Sequence, residues 1–132
     1  MPVPRAPVER LVAFVAGRQH RKLGTVDVAI VGRRRMTVLN RRFLGHLGAT
    51  DVLSFDLSDG QKGPLSAQII VCWDVAVAQG RHYGVPARRE LLLYVVHGLL
   101  HVMGFDDAEP KAAEKMRARQ ESLLEAFLRS EP

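Results

Sequence analysis

Apolar residues recur along this chain in two rhythms, one suited to helices and one to strands. Val8, Leu11, Val12, Phe14 and Val15 fall at helical spacing and predict a helix over residues 7–18. GTVDVAIVG, residues 24–32, alternates β-branched positions between two glycines and predicts a strand. RRRMTVLNRRFL, residues 33–44, sets Met36, Leu39 and Phe43 on one side of a basic amphipathic helix that Gly45 and Gly48 end. DVLSFDL, residues 51–57, and LSAQIIVC, residues 65–72, are two further strands, with the turn-rich SDGQKGP between them. Residues 74–82 form a short helix. Pro86 suits the first turn of a helix over 86–103, which Gly104 stops. Pro110 opens a last helix, with a charged outer face, that runs to about Leu128.

Helices interleaved with three or four short strands give an α+β class, a small mixed sheet packed with about five helices. The run LLLYVVHGLLHVMGF, residues 91–105, is apolar but for two histidines. It falls short of the ~18 apolar residues of a membrane span. It predicts a helix passing through the middle of the packing. No repeat or linker divides the chain, so residues 1–132 make one domain, long enough to bury a core without staples.

Composition narrows the class. Hydrophobic residues are 47% and charged residues 25%, which fits a globular chain and not a disordered one. Cys72 is the single cysteine, so no disulfide framework exists, and a reducing, cytoplasmic setting is expected. The N-terminal stretch, broken by Arg5, Glu9 and Arg10, lacks the apolar region of a signal peptide. Lysines and arginines number 19 against 14 acids, a formal charge of +5. That balance favours a polyanionic partner such as nucleic acid, and an arginine-rich solvated surface meets it equally.

The chemistry concentrates in HGLLHVMGFDD, residues 97–107. Residues four apart on a helix lie about 40° apart in azimuth and ~6 Å along the axis. His97 and His101 can therefore reach one metal ion from one face. Gly104 permits a sharp turn, and Asp107 can fold back as a third ligand. The arrangement resembles the zincin style of metal helix. Peptidases of the HExxH type carry a glutamate just after the first histidine as general base. Here that position is Gly98, which argues against peptide hydrolysis.

With these residues in place, the sequence resembles the YbeY family of bacterial single-strand-specific endoribonucleases, also called ribosomal RNA maturation factors. The family signature HGxLHLxGYDH stands here as HGLLHVMGFDD. TDVLSF, Thr50 to Phe55, matches a second family segment, preceded by Leu39 and Asn40 at the family distance. SAQIIVC lies where the family has a GDIxIC strand. The resemblance implies a four-stranded mixed sheet with helices on it. It also implies zinc-dependent cleavage of RNA in the cytoplasm, maturation of the 3′ end of small-subunit ribosomal RNA, and ribosome quality control. Three positions depart from the pattern. Asp107 replaces the third metal-binding histidine, and Ala67 and Gln68 replace the Gly-Asp. Leu44 stands where the family usually has an arginine.

The leading expectation is hydrolysis of an RNA phosphodiester with one zinc per chain, held by His97, His101 and Asp107, the fourth position open for water. The expected partners are single-stranded RNA, ribosomal RNA and ribosomal subunits. Arg33, Arg34, Arg35, Arg41 and Arg42 are the densest basic group. In a helix, Arg41 lies about 60° from Leu44 and Arg42 about 160° from it, so Arg41 is the candidate phosphate-binding and catalytic residue. Arg42 and Ser54 are further candidates for substrate binding, and Asp106 for proton transfer. Asp51 lines the cleft or caps a turn. If Leu44 is a core residue, the phosphate contact falls to a residue such as His46. A second reading is an RNA- or ribosome-binding assembly factor with a structural metal, which needs a fourth ligand, and Cys72 is the sole sulfur that can close the site. A third is a ferrous oxygenase using two histidines and a carboxylate.

Overall fold

The computed structural model describes residues 5–45 and 48–131. The elements run α1 (Arg5–Arg18), β1 (Leu23–Val31), α2 (Arg33–Leu44), β2 (Val52–Asp56), β3 (Leu65–Cys72), α3 (Trp73–Tyr83), α4 (Ala87–Val102) and α5 (Pro110–Ser130). Each lies within about two residues of the span that periodicity predicts.

β3 organises the molecule. It is the central strand, with β1 parallel on one side and β2 antiparallel on the other. Its apolar residues are buried on both faces, as a central strand between two layers requires. Leu65, Ala67, Ile69 and Val71 enter a large core shared with α1, α4 and α5. Ile70 and Cys72 point the other way, into a smaller cluster with Met36 of α2 and Leu53 of β2. The period of two therefore assigns α2 to one face of the sheet and α1 and α4 to the other.

Among the described residues the sheet has three strands, not the four that the family resemblance implies. Only three runs in the chain combine β-branched residues with alternation. The connections around them are rich in Gly, Asp and Ser, which favour turns.

α4 is buried along most of its length, with Leu91, Val95, Val96, Leu99 and Leu100 all inaccessible to solvent. It does run through the packing, against α1, α3, α5, β2 and β3. A Cβ built on Gly98 would stand 3.2 Å from methyls of both Ile69 and Val52. The glycine thus sets how closely the helix lies on the sheet. The neighbour it admits is the sheet's own side chains. A glutamate there would be driven into the core, so the missing protease base is excluded by packing as well as by sequence.

Candidate metal centre

The last two turns of α4 carry His97 and His101 on the helix face that is not sealed by the sheet. Their side chains are 27% and 32% exposed, so the imidazoles open to solvent instead of being buried as the apolar sequence around them predicts. The rings meet edge to face, with centroids 4.7 Å apart. The turn after α4 brings in the third donor. Gly104 has φ 99°, the Phe105 N–H donates to the Leu100 carbonyl, and the Gly104 N–H to the His101 carbonyl. That is a Schellman end, and it needs a residue that accepts positive φ.

Asp107 then returns to the histidines. Its Oδ2 lies 3.4 Å from His101 Nε2 and 3.9 Å from His97 Nε2. The three donor atoms all fall within 4.8 Å of one another. Two ligand bonds of ~2.0–2.2 Å at a tetrahedral angle set donors about 3.4 Å apart. The group is therefore near the size that one ion demands, and two imidazoles with a carboxylate suit a transition metal. Cys72 is buried in the small cluster on the far face of the sheet and does not join these donors.

Two glutamines hold the site, and sequence reasoning missed both. Gln120 of α5 places Oε1 2.7 Å from His97 Nδ1. An acceptor there keeps the proton on Nδ1 and leaves the Nε2 lone pair for a metal. Gln61 donates from Nε2 to the Val102 carbonyl at 3.2 Å, one residue past His101. Arg21 in turn holds its loop, through Gly63 O, Gly60 O and Gln61 Oε1. No local pattern marks these residues. Gln120 lies 23 positions from His97 and Gln61 lies 41 from Val102.

A cleft of about 360 Å³ adjoins the centre, lined by Leu44, Ser54, Phe55, Asp56 and His101 among others. Ser54 therefore shares a cleft with a proposed ligand. Leu44 is 51% exposed, so it is no core residue, and it borders the same cleft. Arg41 and Arg42 are exposed in the last turn of α2, outside the cleft lining. His46 lies outside the described residues. Asp106 is exposed and accepts the Ala108 N–H at 3.0 Å. Asp51 caps its own strand, accepting the Val52 N–H at 2.8 Å. Asn40 is buried and donates to the Gly48 carbonyl, which ties α2 to the segment that leads into β2.

Gln120 also lines a second cleft, of about 560 Å³, together with Asp51, Arg89, Glu90, Tyr94 and Glu121 among others. Burial pushes the Glu90 carboxyl above its usual range, and Glu121 and Asp51 add to the rise against the pull of Arg89. Burial likewise raises the Tyr94 hydroxyl, which has no hydrogen-bond partner among the described residues. Arg89 is held by Glu125 at 2.8 Å and Glu121 at 3.5 Å, fastening α4 to α5.

Residues 5–128 match the family model described as Endoribonuclease YbeY. A protein of that name from Anaeromyxobacter sp. is 39% identical over 111 residues, covering 79% of this chain and 58% of the relative. The chain thus spans little more than half the length of that relative. One from Elusimicrobium minutum is 38% identical, covering 80% of this chain and 76% of the relative. The solution structure of a Thermotoga maritima protein superposes with a TM-score of 0.68 at 26% identity, covering 96% of this chain and 85% of that one.

Proposed function

Because the chain belongs to the YbeY family of endoribonucleases, we propose that it is a zinc-dependent endoribonuclease that cuts single-stranded RNA in the cytoplasm. Its proposed substrate is ribosomal RNA, at the 3′ end of the small-subunit species, with a role in ribosome quality control. The observation that carries the reading is the convergence of His97, His101 and Asp107 beside a cleft on a basic protein. One zinc ion per chain is to be held by the two Nε2 atoms and Asp107 Oδ2. When bound, the ion supplies Lewis acidity toward a phosphoryl oxygen and toward water.

The chain's own groups do the rest. Arginines of α2 grip the RNA backbone, with Arg41 the leading candidate, since a guanidinium offers two parallel hydrogen bonds to a phosphate. Arg42 adds charge beside it. Ser54 offers a hydroxyl from the cleft. Asp106, next to the ligand Asp107, is the proposed proton carrier. Gln120 holds His97 in the tautomer that ligates. Position 98 carries no carboxylate, so peptide hydrolysis is not expected.

Elemental analysis tests the centre. Wild type should carry about one zinc per chain, and His97→Ala/His101→Ala far less. Cleavage of single-stranded RNA should stop on chelation and return with added zinc. Equal zinc in both proteins, or cleavage indifferent to chelator, overturns the reading.

A further inference from the structure

Helical spacing puts Met36, Leu39 and Phe43 on one side of α2, and a side that buries Met36 completely ought to bury the others. It does not. Phe43 is 53% exposed, one of the large apolar side chains that folding leaves in water. Its ring is not loose. It packs edge to face on Phe55, with centroids 5.4 Å apart and planes at 70°. The Arg42 guanidinium stands 5.8 Å from its centroid. Phe55 and Leu44, the residue after Phe43, both line the cleft that His101 enters. A fixed, half-open aromatic ring therefore stands at the rim of the proposed catalytic cleft.

We propose that Phe43, braced by Phe55 and Arg42, is a stacking platform for one unpaired nucleobase of the RNA substrate, beside the nucleotide whose phosphate lies in the cleft. This rests on the reading of the chain as an RNA endonuclease. The choice of occupant follows from charge. α2, RRRMTVLNRRFL, carries arginines at both ends and no acid, and Arg41 and Arg42 directly precede the ring. Aromatic rings set among arginines suit nucleic acid, where cations track the backbone and rings take the bases. Every base has a π-face, so such a platform tolerates any sequence. It does demand a free face. In a duplex both faces are covered by stacked neighbours, so a Phe43 platform favours single strands without reading a sequence.

The test uses chelated protein, so that binding is read without cleavage. The probe is a single-stranded oligoribonucleotide carrying 2-aminopurine, whose fluorescence falls when its base stacks. Wild type should bind and quench. Phe43→Leu should bind roughly 10-fold more weakly, within the range of one lost base–aromatic stack, and lose the quench. Phe43→Trp should restore both. Because residue 43 is half exposed, all three proteins should melt alike. Binding of a duplex of the same sequence should not change. If wild type binds the strand and Phe43→Leu binds and quenches equally, the platform is wrong while the endonuclease reading stands. That outcome would leave the ring to a protein partner. Equal loss of single-strand and duplex binding also overturns it. Failure of the chelated protein to bind the strand overturns the platform, and failure of the zinc-loaded protein to cut it as well overturns both readings.

Discussion

Removing the acceptor that Gln120 offers to His97 should weaken the metal centre without weakening the fold. Gln120 Oε1 lies 2.7 Å from His97 Nδ1, a short hydrogen bond in a partly buried place. While it stands, the imidazole is fixed in rotation and its proton stays on Nδ1. In Gln120→Leu the side chain keeps a similar volume and loses the acceptor. His97 can then turn, or move its proton to Nε2, where it blocks ligation. Losses of this kind typically lower metal affinity 10–100-fold, which is about 1.4–2.7 kcal/mol. Zinc competition against a chromophoric chelator reads that change directly. Gln120→Glu supplies a stronger acceptor, so affinity should order as Glu at or above Gln, with Leu far below. Metal-free melting should be nearly the same in all three, since residue 120 is not part of the apolar core. Wild-type zinc affinity in Gln120→Leu would refute the reasoning, and so would a loss confined to metal-free stability.

Other predictions address packing, titration and substrate. Gly98→Ala gains about 1 kcal/mol of helix propensity but forces a methyl against Ile69 and Val52, where overpacking typically costs 1–3 kcal/mol. Urea denaturation should show a net loss, and a gain of about 1 kcal/mol would mean that the sheet yields freely. Glu90 holds its proton more tightly folded than unfolded, so its penalty is absent below the ordinary carboxylate range and grows as pH rises through it. Glu90→Gln should therefore raise the urea midpoint of metal-free protein at pH 7, with the gain fading toward about pH 3; a pH-independent difference would contradict the burial argument. Arg41→Ala should lower RNA cleavage about 10-fold, the worth of one charge-assisted contact, and more than Arg42→Ala. Leu44→Arg, at a site half exposed beside the cleft, should recover part of the loss. Equal rates for the two alanine variants would remove Arg41 from substrate binding.

The elements were legible in the sequence because they are local. A period of two or of 3.6 is visible within ten residues, and glycine and proline mark the ends. For the same reason His97, His101 and Asp107 could be named as a group. Two sit on one helical face, and the third is three residues past a glycine that had to turn. Tertiary structure decided what depends on residues far apart. It set the strand order β1-β3-β2, because only the packed sheet shows which edges pair. It assigned Gly98 to a contact with Ile69 and Val52, since nothing near position 98 announces a sheet 3.2 Å away. It brought Gln120 to His97 across 23 positions, and left Phe43 in water on a helix side that periodicity marks as buried. Periodicity reports which way a side chain points along its own element. Whether another element stands there to cover it is a property of the assembled fold, and in this protein that difference separates a core residue from a proposed binding surface.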